Sequence, residues 1–90
     1  MVKTVSFLVR GGVQGVGFRY TTRQAAEFLG LVGWVRNRSN GDVEGVVQGD
    51  TDSIAKFENW LWQGPDYARV TSVITDDVPP IPDLDFVIRR

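Results

Sequence analysis

The chain has no cysteine and no histidine. Without cysteine there is no disulfide framework, no thiol nucleophile and no thiolate metal site, and a reducing compartment is permitted. Without histidine, the side chain most often used as a general acid or base near neutrality is missing, along with the commonest metal ligand. No apolar run approaches the length of a membrane span. The N-terminus carries Lys3 but no apolar stretch of the kind a signal peptide needs, so a cytoplasmic protein is expected. An excess of one charge is also lacking. Ten Lys and Arg oppose eleven Asp and Glu, for a net charge of −1. That balance is no electrostatic footprint for nucleic acid or an anionic membrane, and neither partner is expected. Proline is scarce too, and three of the four prolines crowd into Pro79-Pro80-Ile81-Pro82.

The 42% hydrophobic content fits a globular protein, and 90 residues fit one domain spanning 1–90. Arg10, Arg19, Arg23, Arg36 and Arg38 all fall in the first half, while most acids fall in the second. An arginine-rich patch on a near-neutral chain suits a small anion better than a polyanion.

The elements follow from periodicity. Val2 to Arg10 alternates, with Val5, Phe7 and Val9 on one face, and predicts a central strand. Tyr20 to Leu29 predicts a helix, with Thr22, Ala26 and Leu29 facing the core, Ala25 and Phe28 beside them, and Gly30 as its stop. Gly33 to Ser39 and Val43 to Gln48 predict a hairpin, its turn carrying Asn40-Gly41, a dipeptide suited to two positive φ angles. Asp50 or Thr51 caps a second helix whose Ile54, Phe57 and Leu61 keep the 3.6-residue period, and Gly64-Pro65 ends it. Ala68 to Val78 predicts a strand, and Phe86 to Ile88 a short last one. The order is βαββαβ plus a short C-terminal strand. That is the pattern of an α+β fold, a ferredoxin-like α/β sandwich with two helices on one face of an antiparallel sheet.

Between the first strand and the first helix lies Gly11-Gly12-Val13-Gln14-Gly15-Val16-Gly17-Phe18-Arg19, with four glycines in nine residues. Such a stretch makes a poor strand and a poor helix but a good tight loop. Successive backbone amides in a turn form an anion-binding concavity, and a helix starting just beyond adds its positive end. Arg19 supplies a planar, permanently charged fork suited to phosphate oxygens. The glycine spacing fits neither the dinucleotide-binding fingerprint nor the P-loop of nucleotide hydrolases. The competing reading, from glycines alone, is a surface turn followed by a solvated arginine.

The run V-R-G-G-V-Q-G-V-G-F-R, Val9 to Arg19, resembles the first signature of the acylphosphatase family at every specified position. G-W-V-R-N-R-S-N-G-D-V-E-G-V-V-Q-G, Gly33 to Gly49, resembles the second, with Gly33, Trp34, Asn37, Gly41, Val43 and Gly49 in place. The Gly64-Pro65 grouping with Ala68 and Val70, and the Phe86-Val87-Ile88-Arg89 ending, extend the resemblance over nearly the whole chain. The resemblance implies a hydrolase that splits acyl phosphates into a carboxylate and inorganic phosphate, without metal or organic cofactor. It implies catalytic roles for Arg19, binding the phosphoryl group, and Asn37, positioning the attacking water. It also implies a phosphate cradle from the backbone of Gln14, Gly15, Val16, Gly17, Phe18 and Arg19, which inorganic phosphate or sulfate could occupy. A monomer is expected. Gly17 and Arg38 stand at variable positions of the signatures.

An RNA-binding module shares this topology and is the main alternative. It needs aromatic side chains on the two central strands, whereas Val43 to Gln48 has none. A non-catalytic phosphate-binding domain would keep the loop but not need Asn37. Arg23 and Arg36 are expected to be solvated, and Arg10 and Arg38 to lend charge near the loop without being catalytic. Asp50 and Asp52 are expected to cap a helix, and Trp34, Trp60 and Trp62 to serve packing.

Overall fold

The computed structural model describes residues 1–90. Its elements are β1 (Val2–Gly12), α1 (Phe18–Phe28), β2 (Val32–Asn37), β3 (Val43–Asp50), α2 (Thr51–Gln63), β4 (Arg69–Asp77) and β5 (Phe86–Ile88). The five strands form one sheet in the order β4-β1-β3-β2-β5, which is the ferredoxin-like α+β arrangement. β1 and β3 are central because they carry the densest apolar alternation. Val5, Phe7 and Val9 of β1 meet Val43 and Val47 of β3 beneath the helices. Both helices lie on that face. Phe18 and Ala26 of α1 and Ile54, Phe57 and Leu61 of α2 complete one core.

The sheet is mixed rather than wholly antiparallel. β1 pairs antiparallel with β3 and β4, and β2 with β3, but β5 runs parallel to β2, with Gly33 opposite Phe86 and Val35 opposite Ile88. The chain must therefore travel from one edge of the sheet to the other between β4 and β5. Four strand spacings amount to about 19 Å, within reach of an extended segment of this length. The proline-rich connector makes the crossing by lying over the helix-free face. Gln48 donates to the Ile81 carbonyl at 3.2 Å and accepts from the Ile81 N–H at 2.9 Å, and Thr4 Oγ1 donates to Gln48 Oε1 at 2.7 Å.

Three further expectations are corrected. α1 starts at Phe18, two residues before the predicted start, because Gly17 adopts the left-handed conformation (φ 73°) and turns the chain directly into the helix. Phe28, expected beside the buried stripe, is 91% exposed. It sits two residues beyond Ala26, a rotation of about 200° that carries it to the far side of the helix. In the β2–β3 turn only Gly41 has a positive φ, 99°, and Asn40 does not. Gly41 N–H donates to the Arg38 carbonyl at 3.2 Å, and Arg38 N–H donates to the Asp42 carbonyl at 2.8 Å. This is the longer hairpin connection in which a left-handed glycine closes the turn as a bulge. Asn40 instead uses its side chain, accepting from the Asp42 N–H at 3.1 Å.

Candidate active site

The β1–α1 loop is shaped by two left-handed glycines, Gly15 at φ 78° and Gly17 at φ 73°, which other residues adopt only with strain. Val13 and Phe18, both buried, fasten the loop's two ends to the core, and Phe18 packs on Trp60 with ring centroids 5.7 Å apart. Gln14, Gly15 and Gly17 between them remain exposed.

This loop opens on a helix end without a side-chain cap. Gly17 offers no side chain to the first amides of α1, and the first turn holds no acidic residue. α2 shows the contrast. There the Asp50 carboxylate accepts from the Asp52 N–H at 3.1 Å, and Asp52 itself lies in the first turn. The N-terminus of α2 is thus neutralised from within, while that of α1 leaves amide donors and a positive dipole end for an anion.

A cavity of about 210 Å³ lies at this helix end. The loop lines it with Val13, Gln14, Gly15 and Gly17, and the first turn of α1 with Phe18, Arg19 and Tyr20. Asn37, the last residue of β2, closes it from across the gap, and Ile88, the last of β5, forms another wall. Drug-sized ligands use pockets of about 300–1,000 Å³, so a space this size suits a small group. Arg19 is half-buried and reaches toward the C-terminal strand, with Nη1 3.5 Å from the Arg89 carbonyl oxygen that accepts from it.

Sequence reasoning thus named Arg19 and Asn37, 18 positions apart, and the fold lines one cavity with both. Of the expected cradle residues, Val16 does not line the cavity. It packs, partly buried, against the core. Three lining residues lie outside the expected set: Val13, one residue before the cradle, Tyr20 and Ile88. Tyr20 is the next residue of the helix turn that carries Arg19. Ile88 arrives only through the parallel pairing of β5 with β2, which no local pattern signals. The side chain of Gln14 turns to the β2–β3 turn, donating to the Arg38 carbonyl at 2.8 Å and the Asp42 carbonyl at 3.1 Å.

A larger apolar groove, about 550 Å³, runs between the helices past Phe28 and Trp60. It holds neither the loop amides nor an arginine, so the anion chemistry belongs to the smaller cavity. On the helix-free face the central strands present Ser6, Leu8, Glu44 and Val46, while the Phe7 ring of β1 is buried against Phe57 of α2, which disfavours stacking of RNA bases. Trp34, on β2, is instead covered by guanidinium groups, Arg36 at 5.3 Å and Arg89 at 4.8 Å from its ring centroid. Arg36 also pairs with Glu44 at 2.6 Å.

The chain is similar to known proteins over most of its length. The profile of the family described as Acylphosphatase matches residues 5–88. An acylphosphatase of Pelotomaculum thermopropionicum is 52% identical over 66 residues, 73% of this chain and 72% of that protein. One of Nitrosococcus oceani is 43% identical over 84 residues, 93% of each chain. The solved structure of an acylphosphatase from Coxiella burnetii superposes with a TM-score of 0.95 at 43% identity, covering 98% of this chain and 93% of that one.

Proposed function

The chain belongs to the acylphosphatase family, and from that premise we propose that it hydrolyses acyl phosphates with Arg19 and Asn37 as its catalytic residues. The phosphoryl group lies in the β1–α1 loop. Backbone amides from Gln14 to Arg19, the positive end of α1 and the Arg19 guanidinium take up the charge on its oxygens as it redistributes. Asn37, a neutral amide with both donor and acceptor, orients a water in line with the bond to be broken. The water oxygen bonds to phosphorus, the phosphorus–oxygen bond to the acyl group breaks, and the bonding pair leaves with the carboxylate. The proton released by the water passes to a phosphoryl oxygen, giving a carboxylate and inorganic phosphate.

The observation that carries this reading is the convergence of Arg19, Asn37 and an uncapped helix end on one small cavity. The missing histidine fits the substrate. A carboxylate of pKa about 4 departs without being protonated, so no general acid is needed, whereas a phosphate monoester with a poor leaving group would need one. The same reading has residues 1–90 act as one domain and as a cytoplasmic monomer, with inorganic phosphate or sulfate able to occupy the loop. The test is hydrolysis of benzoyl phosphate in excess chelator between about pH 6 and 8, the range in which a catalytic histidine would show and this chain has none. Turnover that needs no added metal and stays flat with pH across that range is expected. No turnover, or a preference for an unactivated phosphate monoester, would contradict the proposal.

A further inference from the structure

The Gln14 side chain does work that the loop's backbone does not. Its Nε2 carries two N–H donors, and each meets a different carbonyl: Arg38 at 2.8 Å and Asp42 at 3.1 Å. These carbonyls are the two ends of the β2–β3 turn, the same pair that the turn's own hydrogen bonds use. Asn37 immediately precedes Arg38, and it pairs across the hairpin with Val43, which immediately follows Asp42. Arg19 lies five residues beyond Gln14 on the same loop and helix turn. The turn is also moored to β1, because the largely buried Asp42 carboxylate accepts from Arg10 Nε at 3.3 Å and from Asn40 Nδ2 at 3.2 Å. Arg10 lies in the strand, however. Gln14 is the link that starts from the loop itself.

We propose that Gln14 is a positioning residue whose carboxamide straps the phosphate loop to the β2–β3 turn and so fixes Arg19 against Asn37. The proposal rests on the hydrolase reading. In-line attack requires the reacting atoms about 3–3.5 Å apart, and a misplacement of about 1 Å can lower the rate about 100-fold. Phosphorus is located by the loop and the water by Asn37, so their relative position is set by whatever joins loop to turn. The primary amide at the end of this side chain gives two N–H groups from one uncharged atom. Methionine fills similar volume with none, and an ionised glutamate turns an acceptor toward two carbonyls.

The test compares Gln14→Met and Gln14→Glu with the parent chain on benzoyl phosphate. For Gln14→Met, kcat should fall about 10- to 100-fold while KM and inhibition by inorganic phosphate change less than about threefold. In an Asn37→Ala background the same substitution should lower kcat by less than about threefold further, because the strap acts through Asn37. An unchanged kcat, an equal loss in both backgrounds, or phosphate affinity falling in step with kcat would overturn the proposal. Gln14→Glu serves if the methionine variant does not fold. Its activity relative to the parent should rise on acidification, as the protonated carboxyl regains one donor, and a flat ratio would overturn the strap. Amide exchange at Arg38 and Gly41 should quicken in Gln14→Met, and unchanged exchange also counts against it. A parent chain that fails to hydrolyse the substrate contradicts the hydrolase reading, and the exchange rates then judge the strap alone.

Discussion

Arg19 enters the cavity from the first turn of α1, and the carbonyl of Arg89 accepts from its Nη1 at 3.5 Å, steadying it from the far end of the chain. In the proposed role, the planar guanidinium offers a fork to two phosphoryl oxygens, which an ammonium on a flexible stem does not. Arg19→Lys keeps the charge and loses the fork. We expect it to lower kcat/KM for benzoyl phosphate by about 100-fold or more, the size of effect seen when one charge-stabilising donor is removed. Turnover close to that of the parent would show that charge alone suffices. That Arg19 and Asn37 share one cavity was legible in the sequence because each sits in a long, dense motif. The partners of Gln14 were not, because two carbonyls on a distant turn leave no mark in composition or spacing.

At the scale of the elements, α1 both builds the site and packs the core, and its buried stripe is narrow. Phe18, Thr22 and Ala26 recur every four residues, and Thr22 is completely buried. The Thr22 hydroxyl has no hydrogen-bond partner there. Replacing an unpaired buried hydroxyl by a methyl group of similar shape removes a desolvation penalty and little else. Thr22→Val, β-branched and of comparable helix propensity, should therefore stabilise the protein by about 1 kcal/mol, raising Tm by roughly 4–8 °C with turnover unchanged. A lower Tm would show that the hydroxyl has an unrecognised role. The elements themselves were legible from apolar periodicity, and of the two cap candidates for α2, Asp50 and Thr51, it is Asp50 that fills the position. Phe28 departs from that pattern because its hydrophobicity points to the core while its angle around the helix points to solvent. The parallel pairing of β5 was hidden because it depends on where a proline-rich connector crosses the sheet, which no local pattern records.

Over the whole molecule, the sheet order brings four chain ends to one place. The C-terminal ends of β1, β2 and β5 meet the N-terminal end of α1 around a single cavity. The proposed division of labour there is between a loop with its arginine, assigned to the anion, and an asparagine facing them, assigned to the water. The most direct test is to measure turnover of benzoyl phosphate and competitive inhibition by inorganic phosphate side by side in Arg19→Ala and Asn37→Ala. Arg19→Ala should lose both phosphate affinity and turnover. Asn37→Ala should lose about 100-fold or more in kcat while its phosphate inhibition constant stays within about threefold of the parent's. An Asn37→Ala variant that turns over like the parent, or an Arg19→Ala variant that still binds phosphate as tightly, would contradict it.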